Sequence, residues 1–382
     1  MALLLRRSPV AAENEQLTVG VVRETGQGER RVALVPKLVE RVSGRGLRVV
    51  VEPGAGAGAL LADETFEQAG AEIGDPWNAD VVVKVAPPSA AEIAKLKAGT
   101  ILIGFLNPRA DPDGIAALES AGIRAFAVEA IPRISRAQAM DALSSQSSVA
   151  GYRSVLLAAQ KLTRFFPMLT TAAGTVPPAK VLVLGAGVAG LQALATAKRL
   201  GAQTTGYDVR PEVGEQVKSI GAKFLDLGIE AVGEGGYARE LTEEEKAEQQ
   251  RRLTEAITRF DVVITTALVP GRKAPILVTA DAVKGMPAGG VVVDLAGESG
   301  GNCELTRPGE EIVEHDVTIC SPLNLAAEMP AHSSELYARN VTELLELLVD
   351  GEGKLALDFS DEIVAGACVA GGAPAAENEG GE

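Results

Sequence analysis

The stretch from Lys180 to Asp208 constrains the fold of this chain more than any other. Its hydrophobic pattern predicts a buried strand over residues 180–184, a helix over residues 191–201 and a second strand over residues 202–207. A strand, a helix and a strand in this spacing are typical of a βαβ unit, whose two strands lie parallel in one sheet. We therefore predict an α/β fold with a parallel sheet around this unit.

Three glycines between the first strand and the helix form the pattern GxGxxG. Gly185 permits a tight turn, Gly187 lets the backbone approach a pyrophosphate, and Gly190 lets the helix pack closely on the strand. The pyrophosphate would then lie at the helix N-terminus. The alternative is a glycine-rich turn in an ordinary α/β domain, because this pattern alone has low specificity.

Asp208 ends the second strand, 18 residues after Gly190. A carboxylate at this place accepts hydrogen bonds from both hydroxyls of an adenosine ribose and repels a 2′-phosphate, which favours NAD over NADP. Arg210 leaves the choice open, because its guanidinium is close enough to hold a 2′-phosphate.

Composition narrows the class of protein. A chain of 382 residues is too long for one ordinary core, which predicts two domains. The net charge of −15 argues against nucleic acid or an anionic membrane surface as a direct partner. Three scattered cysteines indicate a reducing compartment. The uncharged residues 181–197 are explained as strand plus helix, so we expect no direct membrane span.

Short apolar strands alternate with helical segments along two regions of the chain. The predicted strands cover residues 17–22, 47–51, 80–85, 100–106 and 123–128, and then 181–184, 203–207, 222–225, 261–265, 290–295 and 316–320. This alternation predicts two Rossmann-like domains with parallel doubly wound sheets, joined by long helices with a cleft between them. The expected boundaries are residues 16–140 plus 325–369 for the first domain, 141–324 for the second, and flexible tails at 1–15 and 370–382.

An unusually long connection, residues 226–245, precedes a helix predicted around residues 247–258. It contains Gly236 and Tyr237. Connections in this fold are usually far shorter, and long loops in compact domains often close over ligands. We predict a mobile flap that closes over bound nucleotide with Tyr237 as its anchor. The alternative is a surface insertion without a role.

Residues 132–145 bring together hydrogen-bonding side chains ahead of a long helix predicted over residues 144–166. The segment contains two arginines, a glutamine, an aspartate and several serines. A loop of this composition at the crossover between two sheets is a candidate ligand site. An Arg–Asp pair that fixes the hinge and a serine N-cap for the helix would explain it equally well.

Five segments of the chain resemble the NAD(H)-binding domain of proton-translocating nicotinamide nucleotide transhydrogenase: residues 133–145, 146–152, 171–179, 185–198 and 265–271. The similarity covers roughly residues 17–369. The resemblance implies hydride transfer from NADH on this chain to NADP⁺ on a separate domain, coupled to proton translocation by membrane subunits. It implies a Re/Si-specific enzyme that is active only with its partner subunits and is cytoplasmic, peripheral to the inner membrane.

The resemblance also implies roles for particular residues. Arg133, Gln138, Asp141 and Ser144 would be catalytic, beside the nicotinamide. The implied contacts with the nucleotide are Arg133, Ile134, Ser135, Gln138, Ser144, Gly185, Gly187, Val188, Gly190, Asp208, Val209, Arg210, Gly236, Tyr237, Gln249, Ala267 and Leu268. Because Arg210 belongs to the NAD pattern of the family, NADP(H) is expected only on the partner domain. A homodimer is implied as well, with residues 164–179 as a candidate exchanged arm.

The alternative function is that of an NAD-dependent amino-acid dehydrogenase similar to alanine dehydrogenase, which shares this fold. Arg31 and Lys84 stand at positions similar to those of its motifs, and both could bind a carboxylate. Those enzymes need a catalytic histidine after the fourth strand, where this chain has Asn107. An asparagine has no titratable proton near neutral pH and cannot serve as the acid–base group of an imine–amine interconversion. Asn107 therefore argues against this alternative.

Overall fold

The computed structural model describes residues 16–210, 212–228, 242–268 and 273–372. The strands are β1 (Thr18–Val21), β2 (Arg48–Val51), β3 (Glu72–Ile73), β4 (Val81–Val83), β5 (Ile101–Gly104), β6 (Arg124–Ala127), β7 (Leu169–Thr171), β8 (Gly174–Val176), β9 (Lys180–Leu184), β10 (Gln203–Tyr207), β11 (Lys223–Phe224), β12 (Val262–Thr265), β13 (Val291–Asp294), β14 (Glu311–Glu314), β15 (Val317–Cys320) and β16 (Cys368–Ala370). The α-helices are α1 (Pro36–Ser43), α2 (Asp63–Gln68), α3 (Ala90–Ile93), α4 (Pro112–Ser120), α5 (Ala142–Lys161), α6 (Val188–Arg199), α7 (Val213–Ser219), α8 (Glu243–Ile257), α9 (Ala280–Gly285), α10 (Pro330–Leu347) and α11 (Glu362–Ala367).

Two sheets have the strand order of a doubly wound fold. The first runs β16-β6-β5-β4-β1-β2-β3, and the second runs β11-β10-β9-β12-β13-β15-β14. Neighbouring strands are parallel, except that β16 and β14 pair antiparallel at one edge of their sheets. Without these edge strands, each sheet has the order 3-2-1-4-5-6 of dinucleotide-binding folds. The prediction of two Rossmann-like domains with parallel sheets is confirmed, whereas the antiparallel edge strands were not predicted.

The described residues cluster into two compact units. Unit 1 holds the first sheet and comprises residues 16–26, 31–141 and 337–372, while the remaining residues form unit 2 with the second sheet. The domain boundaries expected from the sequence stay a prediction. No helix among the described residues is both long and apolar enough to cross a membrane.

β9 shows how the second sheet is covered on both faces. Val181 and Val183 belong to a core shared with α5 and α6, whereas Leu182 and Leu184 belong to a core shared with α8 and α9. Successive side chains of a strand point to opposite faces, so one apolar run serves both cores. The glycine motif therefore follows a fully buried strand at the point where the strand order reverses.

Several predicted boundaries differ from the observed ones. The helix predicted from residue 191 begins at Val188, because Gly187 is already its N-cap. The long helix predicted over residues 144–166 is α5, which begins at Ala142 and ends at Lys161.

Two segments predicted to be flexible hold regular structure. α8 begins at Glu243, inside the predicted flap, because Thr242 and Glu245 form a capping box there. Ala370, at the start of the predicted tail, lies in β16, which pairs with β6. Gly236, Tyr237 and residues 1–15 lie outside the described residues.

Candidate nucleotide site

The glycine-rich turn lies at the carboxyl end of β9. Gly185 has a φ of +97°, and its N–H donates to the carbonyl oxygen of Tyr207 at 2.8 Å, which ties the turn to the end of β10. Gly187 is the N-cap of α6, and no side-chain hydrogen bond caps this helix. A Cβ atom placed on Gly187 would meet no heavy atom of the described residues within 4 Å. The turn is therefore open above the first N–H groups of α6, where an anionic phosphate is stabilised.

Gly190 faces the opposite side of the turn, where there is no room. A Cβ atom placed on Gly190 would overlap the carbonyl oxygen of Gly185 and lie 3.2 Å from the Thr266 hydroxyl oxygen. On the neighbouring helix α5, a Cβ atom placed on Gly151 would overlap the carbonyl oxygen of Ala189. These glycines let α6 approach both β9 and α5, which fixes the direction of the α6 N-terminus.

Asp208 lies beside the turn, with its side chain only 6 % exposed. Its Oδ2 accepts a hydrogen bond from the N–H of Ala186 at 2.9 Å, and Arg210 Nε donates to its Oδ1 at 3.0 Å. Burial acts to raise the pKa of the Asp208 carboxyl, but the hydrogen bonds from Arg210 and Ala186 outweigh it and lower the pKa. Asp208 is therefore held as an ionised carboxylate beside the glycine-rich turn.

Apolar side chains are exposed around the same edge of the second sheet. Val188 begins α6, Val209 follows Asp208, and Leu268 follows β12; each is between 44 % and 69 % exposed. Exposed large apolar side chains that converge on one edge are suited to cover the faces of a planar ring. Gln249 of α8 reaches this edge as well, since its side chain hydrogen-bonds Tyr207.

Tyr207 is the buried neighbour that links these groups. Burial first, and then the charge of Asp208, raise the pKa of the Tyr207 hydroxyl to about 12, while the hydrogen bond with Gln249 acts in the other direction. Tyr207 is therefore neutral near physiological pH and acts as a support for Asp208 and Gln249.

In unit 1, residues 135–140 form a 3₁₀ turn that is anchored on one side and exposed on the other. Ala137 and Met140 are buried, and the Asn340 side-chain amide donates to the carbonyl oxygen of Ala139 at 2.7 Å. The candidate side chains on the outer side are exposed: Arg133, Ser135 and Gln138. Ile134 is half-buried beside them.

One arginine of this segment pairs with an aspartate from another element. Arg136 forms two hydrogen bonds of 2.6 and 2.9 Å with Asp361, which is the N-cap of α11. The pair thus fastens the segment to α11. Asp141 directly precedes α5 and Ser144 lies in its first turn.

Lys84 is fully buried in unit 1 and is held by two carboxylates. Its Nζ lies 3.2 Å from Glu24 Oε2 and 3.1 Å from Glu92 Oε1. The side chains of both glutamates are less than 10 % exposed. An ammonium group with two buried carboxylates already has its compensating charges. Lys84 therefore pairs with these two carboxylates, and its binding of a substrate carboxylate stays a prediction.

Asn107 follows β5 with a left-handed φ of +50°. Glu129 Oε1 accepts hydrogen bonds from the N–H groups of Leu106 and Asn107, at 2.8 and 2.5 Å. Among the described residues, Glu129 Oε2 is buried without a hydrogen-bond partner. Burial raises the pKa of the Glu129 carboxyl, although the peptide N–H groups partly oppose the shift. Glu129 therefore ties the backbone of Leu106 and Asn107 to the segment that follows β6.

The raised pKa of Glu129 has a consequence for stability. Below the ordinary glutamate pKa of about 4.3, the carboxyl is neutral in both the folded and the unfolded protein. As the pH rises through the higher pKa of the folded state, the folded protein loses the stability that the neutral carboxyl contributes. We expect Glu129→Gln to raise the melting temperature relative to wild type at about pH 8 but not at about pH 4. The exposed Glu119→Gln is the matched control and should change neither value. An equal gain at both pH values would contradict the assignment.

The sequence did not predict the polar side chains that support the glycine-rich turn and the segment after β12. Thr266 Oγ1 donates to the carbonyl oxygen of Gly185 at 2.8 Å, and Asn302 holds both peptide groups of Ala267. One signal was available: the apolar run of β13 ends in Asp294, a carboxyl at the edge of a buried strand. No pattern linked this residue to residues 266–268, since the link forms only in three dimensions.

Both units match one protein family. Residues 20–150 match the alanine dehydrogenase/PNT N-terminal domain, and residues 154–374 match the alanine dehydrogenase/PNT C-terminal domain. The chain therefore belongs to the alanine dehydrogenase/PNT family.

Within this family, the chain is more similar to transhydrogenase subunits than to alanine dehydrogenase. It is 44 % identical over 368 residues to an NAD(P) transhydrogenase subunit alpha protein of Rhodospirillum rubrum, covering 92 % of this chain and 96 % of that protein. The crystal structure of transhydrogenase from Sinorhizobium meliloti matches with a TM-score of 0.85 and 44 % identity, over 92 % of this chain and 98 % of that one. Alanine dehydrogenase of Bacillus subtilis is 31 % identical, over 88 % of this chain and 86 % of that protein.

Proposed function

We propose that this chain is the NAD(H)-binding component of a proton-translocating transhydrogenase, which passes a hydride from NADH to NADP⁺ on a partner domain. The observation that carries the proposal is the open turn at Gly187 with the carboxylate of Asp208 beside it. On this proposal, a pyrophosphate lies at the N-terminus of α6 above the turn, and Asp208 accepts hydrogen bonds from the ribose hydroxyls. The greater similarity to transhydrogenase subunits supports this branch of the family.

Bound NADH supplies the hydride, so the residues of this chain have to bind and orient it. We assign the faces of the adenine to Val209 and Leu268, and the contact with the first turn of α6 to Val188. Gln249 supports this side through Tyr207. Gly236 and Tyr237, which lie outside the described residues, are assigned to closure over the nucleotide, which would exclude water.

The exposed turn of unit 1 is assigned to the nicotinamide end. Gln138 would orient the nicotinamide ribose, Arg133 and Asp141 would hold the carboxamide and the loop, and Ser144 would add a hydrogen bond. The anchoring through Met140 and Ala139 keeps the backbone of this turn fixed while Gln138 stays exposed. Such positioning accelerates a reaction between two bound groups without acid–base chemistry.

An alanine dehydrogenase activity is less well supported. Lys84 is paired with Glu24 and Glu92, and Asn107 stands where the acid–base group would be needed. The nearest carboxyl, that of Glu129, has one oxygen bonded to two N–H groups and the other buried. We therefore infer that these groups do not serve as the acid–base pair of an amino-acid dehydrogenase.

The two functions separate in one experiment with the purified chain. NADH binding is measured by fluorescence titration, and NAD⁺ reduction is then followed with and without L-alanine. We expect NADH binding and no alanine-dependent reduction. Appreciable NADH production from alanine would overturn the proposed function in favour of the dehydrogenase, and absence of NADH binding would overturn both.

A second copy of this chain is the proposed partner for residues 164–179. β7 and β8 form an antiparallel hairpin in this segment, and its residues are largely exposed. Phe165 and Met168, at its base, are more than half exposed. A hairpin with exposed apolar side chains is suited to pack on another subunit. Through its transhydrogenase partners, the chain would lie at the cytoplasmic face of the membrane.

Asp208 and Arg210 make the nucleotide preference testable. Asp208→Ser removes the carboxylate and releases the Arg210 guanidinium, which Asp208 now holds at 3.0 Å. We expect NADH affinity to fall roughly 10-fold and NADPH affinity to rise, because a charge-assisted hydrogen bond contributes about 1.5–3 kcal/mol. The double variant Asp208→Ser/Arg210→Gln should lose the gain for NADPH. Unchanged discrimination in titrations with both nucleotides would remove Asp208 from the site.

A further inference from the structure

A buried asparagine side chain holds the segment that follows β12. Asn302 Oδ1 accepts a hydrogen bond from the N–H of Ala267 at 3.0 Å. Asn302 Nδ2 donates to the carbonyl oxygens of Ala267 at 2.9 Å and of Pro275 at 2.8 Å. Asn302 is fully buried. One amide group therefore fixes both peptide groups of Ala267, the residue before the exposed Leu268.

Asp294 in turn fixes Asn302. Its Oδ2 accepts from the N–H groups of Asn302 and Cys303 at 2.8 and 3.0 Å, and from the Thr306 hydroxyl at 2.5 Å. Its Oδ1 accepts from the hydroxyl of Thr265, the last residue of β12, at 2.8 Å. Asp294 is fully buried at the end of β13. The network therefore sets the ends of β12 and β13 against each other in a low-dielectric interior.

The same segment supports the glycine-rich turn. Thr266 Oγ1 donates to the carbonyl oxygen of Gly185 at 2.8 Å. A Cβ atom on Gly185 would lie 2.9 Å from Thr266 Oγ1 and 3.0 Å from the Ala267 nitrogen. Because the turn and residues 266–267 are in close contact, a shift of Ala267 would be transmitted to the turn.

We propose that Asn302 is a positioning residue for the nucleotide site, which it serves by fixing Ala267 and Leu268 against the turn at Gly185. This inference rests on the proposed function. Asn302 itself is buried and acts through Ala267 without touching the nucleotide. Removing its amide leaves the peptide groups of Ala267 without their partners, so the segment can leave its place.

The test compares two substitutions in the same network. Asn302→Ala removes the bonds to Ala267, whereas the control Thr306→Val removes one bond to Asp294 and no bond to residues 266–268. NADH affinity is measured by titration, and the melting temperature is measured without ligand. We expect both variants to melt at a lower temperature, whereas only Asn302→Ala loses NADH affinity, by about 10-fold. If Asn302→Ala does not fold, Asn302→Ser is used in its place. Serine keeps one polar group at this position, so we expect a smaller loss of NADH affinity.

Each outcome decides between the two claims. Equal losses of NADH affinity in both variants would show a general effect on stability and overturn the positioning role. Wild-type affinity in a folded Asn302 variant would overturn it too, and leave the proposed function intact. A wild-type chain that binds no NADH would overturn the proposed function itself, and the positioning role with it.

Discussion

Gly187→Ala is expected to weaken NADH binding by about 100-fold, or about 2.8 kcal/mol at 1.4 kcal/mol per factor of ten. The added methyl group would meet no heavy atom within 4 Å in the part of the chain that the structure describes, and Gly187 has an ordinary φ of −73°. It would occupy the place that a pyrophosphate needs to approach the N-terminus of α6. The melting temperature should stay the same or rise slightly, because alanine restricts the unfolded chain. Titration with NADH and thermal unfolding measure the two effects.

Gly190→Ala is the matched control in the same motif. Its methyl group would overlap the carbonyl oxygen of Gly185, so the contact between α6 and the turn has to open. This variant should lose stability as well as NADH affinity, since overpacking typically costs about 1–3 kcal/mol. Normal NADH affinity in Gly187→Ala would mean that the nucleotide does not use this turn.

Gln138→Asn is expected to slow hydride transfer by about 100-fold while changing the NADH dissociation constant by less than about 3-fold. Asparagine is one methylene shorter, and a displacement of about 1 Å at a positioning group costs roughly two orders of magnitude in rate. An interaction that acts mainly in the transition state lowers the rate and spares binding. The turn should keep its shape, because Ala137 and Met140 anchor it.

The measurement for Gln138 needs the NADP(H)-binding partner domain. Rapid mixing gives the rate of hydride transfer, and a separate titration gives the NADH affinity. The control is Gln216→Asn, at an exposed glutamine of α7 outside the assigned contacts, which should change neither value. Comparable losses of rate and affinity would make Gln138 an ordinary binding residue.

The sequence predicted the parallel sheets well because they are buried on both faces. Val181, Leu182 and Val183 form an unbroken apolar run. A short run of this kind predicts a buried strand when a charged residue precedes it and a glycine turn follows it. The short edge strands β14 and β16 were not predicted, because the sequence of a half-exposed strand has no continuous run of apolar residues. The helix boundaries shifted where caps decide them, as at Gly187 and Thr242.

For the candidate site, local pattern and tertiary contact contributed different information. Spacing alone was enough to find Gly185, Gly187 and Asp208. The two glycines provide a backbone geometry, and the aspartate provides a charge, at fixed positions in the βαβ unit. Asn302 could not, because it reaches Ala267 from 35 residues away through the fold. The burial of Lys84 between two glutamates was hidden for the same reason, since Glu24 lies 60 residues away along the chain.

The most direct test of the central claim is hydride exchange between two separate proteins. The purified chain with NADH is mixed with the NADP(H)-binding domain of a transhydrogenase carrying NADP⁺, and the nucleotides are separated by chromatography to quantify NADPH. We predict NADPH formation when both proteins are present and none when either is omitted. A chain that binds NADH normally yet forms no NADPH with a competent partner domain would contradict the account.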